Sequence, residues 1–64
     1  MIPTTVWRMR NGGRWIECAT RLVPIGVQVE IIADGALLYS RIFPTGEQAL
    51  AWAEEERRER EVEP

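Results

Sequence analysis

The chain predicts an α+β domain: a four-stranded antiparallel β-meander with one C-terminal helix packed on one face. Three observations predict it. Apolar residues alternate with period two through four segments. Each neighbouring pair of segments is separated by a short turn signal. The chain then changes character at Phe43, where a capped stretch with helical spacing begins.

The first strand covers about residues 5–10, with Trp7 and Met9 on one side and Val6, Arg8 and Arg10 on the other. Asn11-Gly12-Gly13 follows, a hairpin signal because both central positions of the favoured turn need positive φ. The second strand, about 14–22, places Ile16, Cys18 and Leu22 on one face and Trp15, Glu17, Ala19 and Arg21 on the other. Residues directly opposite each other share a face, so the turn length can be tested by parity. A two-residue turn sets Met9 or Trp7 against Ile16 and keeps the faces pure. A three-residue loop sets Arg8 against Ile16 and mixes them.

Val23-Pro24-Ile25-Gly26 is the second break, with Pro where a fixed φ suits a turn. The third strand, about 27–33, carries Val27, Val29 and Ile31 inward and Gln28, Glu30 and Ile32 outward. Asp34-Gly35 is the third turn signal. It leads into a fourth strand, about 36–43, whose simplest register pairs Ile31 with Leu38, Val29 with Ser40 and Glu30 with Tyr39. Pro44 ends that strand. Thr45 is the expected helix N-cap, with Gln48 three residues on and Glu47 in the first turn, where the helix dipole favours an acid. The helix is expected over about 46–60, with Ala49, Leu50, Trp52 and Ala53 as its packing stripe. Fraying is expected from about Glu59, and a loose tail over 61–64.

At 64 residues the expectation is a single domain, residues 1–64, near the lower size limit for independent folding. One Cys and no His leave neither a disulfide framework nor a Cys/His metal site. Tight packing around the three Trp residues, or self-association, must then supply the burial. No apolar run has the length of a signal peptide or a membrane span, and the lone Cys suits a reducing compartment, so a cytoplasmic protein is expected.

Net charge is −2, unevenly spread. Residues 1–45 carry five Arg against Glu17, Glu30 and Asp34, which is +2; residues 46–64 carry seven Glu against three Arg, which is −4. The same inventory argues against an enzyme. Without His the commonest general base is missing, and Cys18 has no imidazole to activate it. Cys18 falls on the inward face as a small hydrophobe. Glu54, Glu55 and Glu56 point in three directions from a helix and form no paired carboxylate site. No catalytic residue, metal, cofactor, small-molecule ligand or membrane partner is expected.

What remains is the sheet face away from the helix. It should display Arg8, Arg10, Trp15, Arg21, Ile32, Leu37, Tyr39 and Arg41, a set richer in aromatic and apolar residues than a merely solvated face. Trp, Tyr and Arg are also the residues enriched at interface hot spots. The expected function is a non-catalytic binding module whose open face contacts a protein partner, a second copy of the chain being one such partner.

The segment Ser40 to Glu55, Ser-Arg-Ile-Phe-Pro-Thr-Gly-Glu-Gln-Ala-Leu-Ala-Trp-Ala-Glu-Glu, resembles the last strand and helix of the arm-type DNA-binding domains of phage integrases. The resemblance implies a small sheet followed by one helix, with the open face docked in the major groove of duplex DNA. Arg8, Arg10, Arg21 and Arg41 would then be the DNA contacts. Glu17 and Glu30 lie on the same face and would repel phosphate, while the acidic helix would face away from it.

Overall fold

The computed structural model describes Pro3 to Glu61. Four strands, β1 (Thr4–Asn11), β2 (Arg14–Val23), β3 (Gly26–Ala33) and β4 (Ala36–Phe43), are followed by one helix, α1 (Gly46–Glu61). The strands form one antiparallel sheet in the order β1-β2-β3-β4, and α1 packs on one face of it. The fold is α+β.

All three turns have two residues. Asn11 pairs with Arg14, Val23 with Gly26, and Ala33 with Ala36. Gly12 and Gly13 lie at φ +62° and +81°, Asp34 and Gly35 at +49° and +84°, as the mirror-image hairpin turn demands. The parity reading holds across β1–β2 and β2–β3, where Trp7 faces Cys18, Met9 faces Ile16, and Cys18 faces Ile31. A bulge at Val6 moves Thr5 opposite Ala19 without disturbing these pairs.

Across β3–β4 the simple register fails. Ile32 faces Leu37 as expected, but a bulge follows and Ile31 faces Tyr39 instead of Leu38. From there Val29 faces Arg41 and Val27 faces Phe43, so Tyr39, Arg41 and Phe43 lie on the helix side and Ser40 and Ile42 on the open side. One inserted residue flips every later side chain to the other face. The aromatic residues explain which register wins. The slip lays Tyr39 against Trp52 at 6.1 Å in an edge-on contact and Phe43 against Trp52 at 5.6 Å. An aromatic side chain buries more area than the Ser or Leu that would otherwise face the helix.

The core joins Ile16, Cys18, Val29, Ile31 and Ala33 of the sheet to Ala49 and Ala53 of α1, with Trp7, Met9, Val27, Phe43 and Trp52 packed around them. Both Ala residues are completely buried, and their small side chains let the helix approach closely. Each fully buried Val or Ile contributes roughly 1.5–3 kcal/mol over its exposed state.

Thr45 caps α1, its Oγ1 accepting from Gln48 N–H at 3.2 Å and its carbonyl from Ala49 N–H at 3.1 Å. Leu50 does not join the stripe. It stands on the helix flank opposite Trp52 and is exposed, because 49, 53, 56 and 60 are the positions that face the sheet. The helix runs to Glu61, and Asn11 Nδ2 donates to the Arg60 carbonyl at 3.4 Å. Upstream, Trp7 Nε1 donates to the Ala53 carbonyl at 2.9 Å. The rest of the tail expected to fray, 62–64, lies outside the described residues.

Candidate interaction surface

The bulges decide what the open face displays. Side by side across the strands, one row runs Arg8, Glu17, Ile32 and Leu37, the next Thr5, Ala19, Glu30 and Ser40, and the third Arg21, Gln28 and Ile42. Arg10 and Trp15 pair at the corner beside the first turn. The face thus has two halves. Apolar Ile32 and Leu37, and beyond Glu30 and Ser40 also Ile42, lie toward β4, and a cationic-aromatic corner sits on β1 and β2.

That corner is built from the backbone up. Asp34 N–H donates to the Trp15 carbonyl at 2.8 Å, and Trp15 N–H donates to Asp34 Oδ1 at 3.0 Å. The backbone of Trp15 is therefore clamped by the β3–β4 turn. The Trp15 N–H bond and the neighbouring Arg14 hold the Asp34 carboxyl below its ordinary pKa. On Trp15 stack two guanidinium groups, Arg8 at 4.8 Å and Arg10 at 5.5 Å from the ring centre. Neither has a carboxylate within 4.0 Å among the described residues. Trp15 itself is 43% exposed. The arrangement holds two guanidinium groups without a carboxylate in ion-pair range on one half-exposed indole.

Arg21 is different. Its Nε lies 3.6 Å from Glu30 and makes no hydrogen bond. Its charge is answered within the sheet. Gln28 Nε2 donates to Ser40 Oγ at 3.3 Å, and Thr5 Oγ1 to Glu17 at 3.2 Å, so the middle of the face is internally bonded.

Of the eight residues expected on this face, the structure brings together Arg8, Arg10, Trp15, Arg21, Ile32 and Leu37. Tyr39 and Arg41 are corrected to the helix side. Tyr39 Oη donates to Glu56, and Arg60 Nη2 donates to Tyr39 Oη at 3.0 Å. Burial, aided by the bond to Glu56, pushes the Tyr39 hydroxyl above its ordinary pKa. Arg41 stacks on Phe43 at 5.0 Å. Ile42 takes their place on the open face and was not anticipated. The one textual signal for it is the Leu37-Leu38 doublet, two adjacent apolar residues that break strict alternation and mark a bulge.

The described residues hold no group of three or more potential metal-ligating side chains. Cys18 lies fully buried between strands, its thiol pushed up to about 11 by burial, with Glu56 adding to the effect. A shallow recess of about 320 Å³ beside the helix end is lined by Asn11, Arg14, Ile16, Glu59 and Arg60. No described helix is long and apolar enough to cross a membrane. No family model, curated protein or solved structure matches the chain.

Proposed function

We propose that the protein is a non-catalytic binding module that docks a protein partner on the open face of its sheet. The observation that carries this reading is the Arg8–Trp15–Arg10 stack, fixed at its backbone by Asp34, on a face that carries Ile32 and Leu37 in the row of Arg8 and Ile42 two rows further along. Such a face suits a partner offering carboxylates at one end and apolar side chains at the other. Arg and Trp in this setting act as anchors, because a rigid indole and a stacked guanidinium lose little freedom on binding.

Photo-crosslinking tests it. A benzophenone amino acid placed at Leu37 or Ile42 should trap a protein in cells, and one at the exposed Leu50 on the helix side should not. Crosslinks from Leu50 alone would move the site off the sheet.

Duplex DNA is the competing partner implied by the resemblance of Ser40 to Glu55. With Arg41 on the other side, the open face keeps Arg8, Arg10 and Arg21 against Glu17 and Glu30, a net charge of only +1. That is little with which to neutralise phosphates. A duplex titration at two salt concentrations separates the two partners. Binding that weakens steeply with salt and shifts Arg8 and Arg10 signals assigns the face to DNA. Absence of binding at low salt removes that reading.

A further inference from the structure

The most apolar exposed element is an edge. Every residue of β4 except Phe43 is exposed, and Leu37, Leu38, Tyr39 and Ile42 are 56%, 48%, 41% and 44% accessible. An edge strand presents a row of unpaired N–H and C=O groups, and natural proteins blunt such edges with charge, Pro, bulges or cover. The two edges of this sheet are treated differently. β1 follows Pro3, carries a bulge at Val6 and the two cations Arg8 and Arg10, and is tied to α1 through Trp7 and Asn11. β4 carries one charge, Arg41, which has no carboxylate within 4.0 Å among the described residues. Its bulge sits near the turn and leaves residues 39–43 in regular pairing.

The geometry points to a homodimer in which β4 pairs antiparallel with β4 of a second copy, extending the sheet to eight strands. Leu37 and Ile42 belong both to this edge and to the open face, but the pairing is argued from the backbone and register of β4 and does not rest on the function proposed above.

Three arguments select a second copy. First, hydrogen-bonded and non-bonded pairs alternate along an antiparallel ladder. Counting from the two-residue turns, Glu30–Ser40 and Gln28–Ile42 are non-bonded pairs, so the backbone groups of Ser40 and Ile42 point away from β3. Second, a two-fold axis through Ser40 pairs it with Ser40 of the second copy and sets Tyr39 opposite Arg41 of the second copy. Both of these lie on the helix side, as cross-strand partners must, and they form an aromatic–cation pair. An axis through Arg41 would set like charges opposite each other. Third, β1 is bulged and carries two cations, so pairing uses the β4 edge and closes at two chains. A stable interface takes about 800 Å² from each partner, under a fifth of the chain's 4448 Å². Leu38 and Ile42 beside the axis add side-chain area to the backbone pairing.

Sedimentation velocity and amide exchange on the unmodified chain, from about 10 µM to about 1 mM, test this. The expected result is a shift from 7.4 kDa toward twice that mass, with the Ser40 amide slowing roughly tenfold or more as its N–H becomes bonded. Ser40→Pro removes that N–H, which has no partner within one chain, and should weaken dimerisation roughly thirtyfold, two net hydrogen bonds being lost per dimer. A chain that stays monomeric throughout overturns the inference. So does a dimer whose Ser40 amide remains fast, a reading that stands even if the Pro variant fails to fold.

Discussion

Gly26→Ala offers a severe test of how the two ends of the chain close on each other. Gly26 opens β3 at φ +150°, and a Cβ built there lies 2.1 Å from the carbonyl oxygen of Phe43. The conformation alone is one that essentially only Gly adopts, at about 1–3 kcal/mol for another residue. The contact adds more, because the obstructing atom is backbone and must retreat by over 1 Å to reach ordinary separation. Phe43 is also where β4 pairs with Val27, packs on Trp52 and leads into the Thr45 cap, so its retreat loosens all three. Loss of one ladder bond adds about 1 kcal/mol, and the total is about 3–4 kcal/mol. A chain of this size has roughly 3–10 kcal/mol of stability to lose. Urea unfolding followed by Trp fluorescence should show the free energy of unfolding reduced by that amount. Gly12→Ala is the control: its φ is positive too, but the added Cβ meets nothing within 4 Å, so only about 1–2 kcal/mol is expected. If Gly26→Ala costs no more than Gly12→Ala, the close approach of β3 to Phe43 is not a constraint on the fold.

Other consequences are as direct. Trp7→Phe removes the indole N–H that serves the Ala53 carbonyl and should cost about 1–2 kcal/mol in the same assay; an unchanged midpoint would mean water serves that carbonyl equally well. Tyr39→Ala should destabilise by about 2 kcal/mol, losing its contact with Trp52 and its bonds to Glu56 and Arg60. Trp15→Ala should cost less than about 1 kcal/mol; the reverse order would exchange the two faces. Cys18 and Tyr39 both have pKa values raised in the fold, so each favours the neutral, protonated form. The Cys18 contribution is complete below about pH 9 and is lost as pH rises through about 11; that of Tyr39 is complete below the ordinary tyrosine pKa and is lost above it. The melting temperature should fall across that window, and less steeply in Cys18→Ala; an identical slope would show that the thiol does not titrate with unfolding. Native Cys18 should also resist alkylation at pH 8, with labelling appearing only on denaturation.

Most of the fold is legible locally. Gly12-Gly13, Asp34-Gly35 and Pro24-Ile25 each dictate a turn from two residues. Alternation then determines which of Trp7, Cys18 and Ile31 share the core, and Thr45 with Gln48 marks the helix start. The candidate site is legible by halves. Arg8, Arg10 and Trp15 lie close to a tight turn, where register has no room to slip, so their face follows from parity. Tyr39 and Arg41 lie beyond the Leu37-Leu38 doublet. Their face depends on a bulge whose advantage is contact with Trp52, a residue thirteen positions away in sequence from Tyr39.

The helix divides in the same way. Periodicity and capping place Ala49 and Ala53 against the sheet. The orientation of Glu56 and Arg60 toward Tyr39 is invisible in a run of alternating charges. Taken alone, the sequence determines the number of strands, their order, the turns between them and the residues of the central core, because those follow from local backbone preference and the period of two. The tertiary structure alone decides the register of β4, the residues shown on the open face and the freedom of one sheet edge. Those outcomes turn on whether Tyr39 and Phe43 gain more by burial against Trp52 than an unbroken ladder would give, a comparison between segments that no local pattern contains.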